Sequence, residues 1–208
     1  MTSFRRQFIF SASSMEVTGV EILAGNPSRL RLDDPIAMLE HDLSALHHGC
    51  ELACQSGLRV QCNVEPSSVV IGLSRMLKAI SAGIVVELVE RHVCNDDRAF
   101  DLLVDGALRL RKAGALIALD DVTPNAMEIE LIRALRPDII KVENRAALSG
   151  VLKVAATRHL IAERVETKGH ADLACAMGVR ELQGFWCDRQ HQIPEVVPAT
   201  IAVAVAPC

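Results

Sequence analysis

Residues 113–143, AGALIALDDVTPNAMEIELIRALRPDIIKVE, decide how the rest of the chain is read. Two apolar runs lie in this stretch, Ala115 to Leu119 and Ile139-Ile140, each too short for a helix and each bounded by turn residues. Both therefore read as buried strands of a parallel sheet. Asp120 and Asp121 close the first run, and Lys141 and Glu143 stand in or just beyond the second. Between them, Asn125 to Arg136 has the apolar spacing of an amphipathic helix. The unit is βαβ, with charge at the carboxyl ends of its strands. Functional groups of α/β barrels and open α/β sheets collect at that edge.

The same alternation extends in both directions. Upstream, Gln7 to Phe10 and Val17 to Ala24 read as two strands joined by the polar turn Ser11 to Glu16, an antiparallel hairpin. Asp34-Pro35 caps a helix running to about Ser56, with Gly57 as its stop. A strand is expected over Leu58–Val64, a helix over Pro66–Ala82, a strand over Gly83–Glu90 and a helix over Asp97–Ala113. Downstream come a helix from Asn144 to Ala156, a strand over Leu160–Glu163, a helix over Lys168–Met177 and a last strand over Val179–Gln183. Repeated crossovers without a long apolar edge strand are best satisfied by a closed (β/α) barrel. His41, His47 and His48 on the first helix lack the spacing of metal ligands and read as surface residues.

Composition bounds the function. The 208 residues, half of them hydrophobic, suffice for one sizeable core and favour a single domain. A net charge of −4 gives no basic footprint, which argues against duplex nucleic acid and leaves room for a small anionic ligand held through metal ions. Seven cysteines, an odd number with no CxxC pair, read as reduced thiols of a cytosolic protein. No leader pattern stands at the N-terminus and no apolar run reaches the ~20 residues of a membrane span. A soluble, cytoplasmic protein with no membrane partner is expected.

Glu21, Asn63, Glu87, Asp120, Asp121 and Glu163 are oxygen donors in or at the ends of five different apolar strands. So many carboxylates in one mouth repel one another, and a buried carboxylate such as Glu21 needs a partner. Hard divalent cations relieve the repulsion, and oxygen ligands select Mg²⁺ or Mn²⁺ over zinc or copper. Lys141 and Gln183 add a cation and a neutral hydrogen-bonding group to the same rim.

Glu21-Ile-Leu23 resembles the Glu-Ala-Leu signature of the EAL domain, the cyclic di-GMP phosphodiesterases. The resemblance continues, in the family's order, through Val60-Gln-Cys-Asn63, Glu87-Leu-Val-Glu90, Ile117 to Asp121, Asp138-Ile-Ile-Lys141, Ile161 to Thr167 and Leu182-Gln-Gly-Phe185. It implies a modified TIM (β/α)8 barrel with an antiparallel first strand, residues 1–194 as one domain and 195–208 as a C-terminal tail. The implied activity is hydrolysis of cyclic di-GMP to linear pGpG. Glu21, Asn63, Glu87, Asp120 and Asp121 would hold one or two Mg²⁺ or Mn²⁺ ions. Glu163 would complete the metal and water shell, Lys141 would orient the attacking water, and Gln183 would complete its hydrogen bonds. Glu90, Glu143 and Glu166 would support these from behind, with Leu23 and Arg164 toward the substrate.

The chain also departs from that pattern. Ala24-Gly25 stands where the family has a phosphate-holding arginine, and Asp121-Val-Thr-Pro-Asn125 replaces a glycine-rich loop that couples dimerisation to the metal site. Pro124 and the lost glycines therefore predict a monomer or a weak or rearranged homodimer. Arg164 stands where the family has glycine, so it supplies the missing phosphate contact, obstructs the mouth, or faces the helices. Two functions of different class follow. Retention of the whole ligand set favours a metal-dependent phosphodiesterase. The altered loop and missing arginine favour a degenerate domain that acts as a cyclic di-GMP receptor or binds a protein partner.

Overall fold

The computed structural model describes residues 3–89, 97–123, 125–143, 145–155, 159–191 and 197–198. Strands β1 (Phe4–Ser11) and β2 (Val17–Ala24) form the expected hairpin, with Gln7 opposite Glu21 and an irregularity between Ile9 and Phe10. Parallel strands β3 (Arg59–Val64), β4 (Ile84–Leu88), β5 (Leu116–Leu119), β6 (Ile139–Val142), β7 (His159–Ala162) and β8 (Glu181–Gln183) follow in sequence order from β2. The last of them returns to β1, antiparallel, with Ile9 opposite Gln183. Eight strands thus close a barrel in which only β1 runs against the others. A two-residue strand β9 (Val197–Pro198) pairs with β1 at Arg5 and Arg6. Glu90, Pro124 and most of the C-terminal stretch after residue 194 lie outside the described residues.

Helices α1 (Pro35–Ser56), α2 (Pro66–Ala79), α3 (Asp97–Lys112), α4 (Ala126–Leu135), α5 (Arg145–Ala155) and α6 (Lys168–Ala176) alternate with the strands. The caps explain their ends. Asp34 Oδ1 accepts from the amides of Ile36 and Ala37, and Gly57 stops α1 at φ 69°, a left-handed angle that glycine tolerates without strain. Asn125 Oδ1 caps α4 at Glu128 N, while Glu128 Oε2 reaches back to the amide and hydroxyl of Thr123. A further helix, α7 (Phe185–Gln190), has no counterpart in the sequence reading, being too short for a helical period to register.

Period-two alternation divides the strands between two cores. Outward residues such as Val60, Val86, Ile117, Ile140 and Leu160 pack against the helices in one large cluster. Inside the barrel, Ile9, Val85, Ala118, Ile139 and Ile161 form a separate small apolar layer, all of them buried. Below this layer Glu181 pairs with Arg59 and, at 2.8 Å, with His159, so the floor is polar and neutralised. Two residues above it on each strand stand Glu87, Asp120, Lys141 and Glu163. The phase that buries the apolar layer therefore delivers the polar groups into the mouth.

Candidate active site

Lys141 is at the centre of the mouth, 1% exposed. Its Nζ lies 2.6 Å from Glu87 Oε1, 2.9 Å from Glu163 Oε1, 3.1 Å from Glu21 Oε2 and 3.3 Å from Asp120 Oδ1. Asn63 Nδ2 donates to the other oxygen of Glu21 at 2.6 Å. Gln183 Nε2 donates to Glu21 Oε2 and, at 3.3 Å, to Gln7 Oε1. All eight strands of the barrel thus contribute, in or at their ends, to a single cluster in which carboxylates outnumber the ammonium.

The electrostatics follow from burial. Loss of water raises the Glu87 carboxyl well above the usual range, with Glu21 adding to the rise and Lys141 opposing it. Burial raises Glu163 in the same way, to about 8, against the pull of Lys141 and with a push from Asp120. Burial alone would depress the Lys141 ammonium, but Glu21, Glu87, Glu163 and Asp120 outweigh it and hold the charge firmly.

Asp120 and Asp121 are neighbours in sequence, yet both reach the mouth. Adjacent residues of a strand point to opposite faces, so the second needs a turn of the backbone. Asp121 supplies it with φ 44°, a left-handed angle uncommon outside glycine. One oxygen each from Asp120, Asp121 and Glu163 then lie within 4.8 Å of one another. Arg164, directly after Glu163, has the same kind of angle, φ 45°. Its guanidinium projects over the rim, 71% exposed, and pairs with Glu143 Oε1 at 2.7 Å. The segment carrying it is clamped by the turn after β8. Val165 N donates to Gln183 O, Trp186 N donates to Val165 O, and a Cβ on Gly184 would lie 2.3 Å from Val165 N.

Two clefts flank the cluster and share Glu21, Leu23 and Asp121. The one beside α1, about 310 Å³, is lined by Phe4, Arg5, Met38, His41 and Asn63 among others. The other, about 390 Å³, is lined by Gln7, Glu143, Arg164, Glu166, Gln183 and Phe185.

The residues fit a hard divalent cation. Glu87 Oε2 and Glu163 Oε2 are buried oxygens without a hydrogen-bond partner, and an all-oxygen carboxylate set suits Mg²⁺ or Mn²⁺.

A family model described as the EAL domain matches residues 37–190. The chain belongs to the EAL domain family. Among solved structures, this EAL domain resembles the Klebsiella pneumoniae BlrP1 calcium/cy-diGMP complex at TM-score 0.74 and 21% identity, covering 96% of this chain but 57% of that one. It resembles the Bacillus subtilis YkuI protein, with an EAL domain, in complex with substrate c-di-GMP and calcium at TM-score 0.69 and 21% identity, over 88% and 53% of the two chains. The PaMucR phosphodiesterase c-di-GMP complex matches at TM-score 0.78 and 17% identity, over 95% and 97%. The chain therefore spans little more than half of the first two. Among curated proteins no relative matches.

Every expected donor outside position 90 faces the mouth of this EAL domain or its rim, and Lys141 is more deeply engaged than expected, touching four carboxylates. His41 and His48, expected at the surface, are half-buried instead. Both contact Phe4, at ring separations of 5.6 and 5.4 Å. Gln7, Gln61, Glu181 and Arg5 join the expected residues at the barrel interior and its rim. The first three face the barrel interior, and counting back by two from Ile9, Asn63 and Gln183 would have found Gln7, Gln61 and Glu181.

Proposed function

We propose that this EAL domain, with residues 1–194 as its barrel, is a metal-dependent phosphodiesterase that hydrolyses cyclic di-GMP to linear pGpG. The observation that carries the reading is the mouth itself, where buried glutamate oxygens without donors surround one ammonium between two clefts. The cyclic di-GMP bound in the Klebsiella, Bacillus and PaMucR structures supports the choice of substrate. A ligand with two nucleoside halves suits two clefts that meet over a cluster able to act on the phosphate between them.

Glu21, Asn63, Glu87, Asp120 and Asp121 would hold Mg²⁺ or Mn²⁺, with Glu163 completing the shell. Bound there, the cations would supply a nucleophile at neutral pH and offset charge on the phosphoryl oxygens. Water adds to one phosphorus, the P–O3′ bond breaks, and the leaving oxygen takes a proton. Lys141, fixed by its carboxylates, holds positive charge where the phosphate becomes more negative and orients the water. Gln183 and Asn63 hold Glu21 in place, so the cluster is formed before substrate arrives. Glu143 and Glu166 line the rim beside Arg164, where they would orient one nucleoside half.

The test is hydrolysis with Mg²⁺ or Mn²⁺, followed by chromatography for pGpG. Turnover that is lost in Asp120→Ala, and absent when Ca²⁺ replaces the metal, is expected. Tight cyclic di-GMP binding with no pGpG at high enzyme concentration would instead identify a receptor.

A further inference from the structure

The mouth is strongly acidic, and a cyclic dinucleotide brings two further negative charges. The metal ions would offset one phosphate, so among the described residues the cationic side chains that line the clefts decide where the other is held. Lys141 is committed to four carboxylates at 2.6 to 3.3 Å. Arg164 is neutralised by Glu143 at 2.7 Å. In the cleft beside α1, burial lowers the His41 pKa, so that ring carries no charge at neutral pH.

Arg5 is different. It is two residues from Gln7 on β1, whose side chain meets Gln183 inside the barrel, so the two share the inward face. Because β1 runs antiparallel to its neighbours, stepping back from Gln7 leads upward, out of the carboxylate ring and onto the rim opposite Leu23. Arg5 is half-buried there and lines the cleft with Glu21, Asp120 and Asp121. Its Nε donates to the carbonyl of Ala24 at 3.3 Å. A neutral carbonyl fixes the fork without cancelling its charge.

We propose that Arg5 is a substrate-binding residue, whose guanidinium grips a phosphate of the cyclic dinucleotide with forked hydrogen bonds in the cleft beside α1. This rests on the cyclic di-GMP reading and adds a contact that comes from the reversed first strand.

The experiment is calorimetry of cyclic di-GMP with the Ca²⁺-loaded protein for wild type, Arg5→Gln, Arg5→Lys and Arg164→Gly, with Ca²⁺ affinity and melting temperature measured on each. Arg5→Gln is expected to bind the dinucleotide about 10- to 100-fold more weakly, the scale of a hydrogen bond to a charged group. Ca²⁺ affinity should not fall and the melting temperature should hold, which a merely structural role would not give. Arg5→Lys, a point charge without the fork, should fall between, and Arg164→Gly should lose less than Arg5→Gln. Wild-type affinity in Arg5→Gln overturns the inference, as does a loss confined to Arg164→Gly. Should Arg5→Gln fail to fold, undiminished binding by Arg5→Lys overturns it equally. A wild type that binds Ca²⁺ but no cyclic di-GMP refutes the functional reading itself, and the Arg5 assignment with it.

Discussion

Replacing Lys141 by methionine removes the cation that holds the mouth together while keeping most of its volume. Glu87 and Lys141 are buried, and Glu21, Asp120 and Glu163 crowd the same ammonium at 2.9 to 3.3 Å. Without it, the metal-free barrel folds only if a glutamate takes up an additional proton. At pH 7, protonating one carboxyl of ordinary value 4.5 costs about 3.4 kcal/mol, and at pH 5.5 about 1.4 kcal/mol. The sign is fixed by linkage. The folded variant binds more protons than its unfolded chain above pH 4.5, so its stability falls as pH rises. For a domain of this size the loss is about 7 to 14 °C in melting temperature at pH 7 and less than half that at pH 5.5. Millimolar Mn²⁺ should restore more to the variant than to wild type, because a divalent cation then takes over the vacated charge. Calorimetric or fluorescence melts at the two pH values, with and without Mn²⁺, test this. A variant within about 2 °C of wild type at pH 7, or a deficit that does not shrink on acidification, would show that Lys141 is not the counter-ion of the cluster.

Arg164→Gly should raise stability by about 0.5 to 1 kcal/mol, because φ 45° strains a side chain and the exposed pair with Glu143 returns little; urea denaturation reads it, and a clear loss would contradict the strain argument. Gly184→Ala should lower the melting temperature and weaken metal binding together, since its Cβ meets the backbone that carries Glu163; unchanged Mn²⁺ affinity would separate the turn from the site. The Glu181 carboxyl is resisted by burial but held down to about 2 by His159, Thr18 and Arg59, so its stabilisation is full above pH 4.5 and is lost as pH falls toward 2; Glu181→Gln should flatten acid unfolding in that window. Light scattering is expected to give a monomer, or a dimer that dissociates at micromolar concentration, and a tight dimer broken by changes at Thr123 and Asn125 would oppose this.

Period-two alternation made most of the mouth legible, because a polar residue two positions beyond an inward apolar one has nowhere else to point. Glu87 after Val85 and Lys141 after Ile139 are read that way without any structure. Asp121 could not be placed by the same rule, which sends it outward; a left-handed backbone angle brings it in, and that angle depends on the loop as a whole. Arg164 remained open among three roles for the same reason, and only the rim geometry pairs it with Glu143. Arg5 escaped notice because the first strand reads from Gln7, which leaves this charge outside it, whereas the strand begins at Phe4 and carries Arg5 on its inward face. The short helix after Gly184 carries no period long enough to detect.

The barrel is sealed by the antiparallel seam between β1 and β8, where Ile9 meets Gln183. Gln183 reaches across that seam to Glu21 and Gln7, so the mouth is assembled from the first and last strands of the barrel at once. Contacts so distant along the chain form late, after the local βαβ units have condensed. A chain emerging from the ribosome consequently has no closed mouth, with Glu21 held by Gln183, until its eighth strand has been made. Divalent-ion binding then reports on closure, and in refolding it should lag behind the recovery of helical signal.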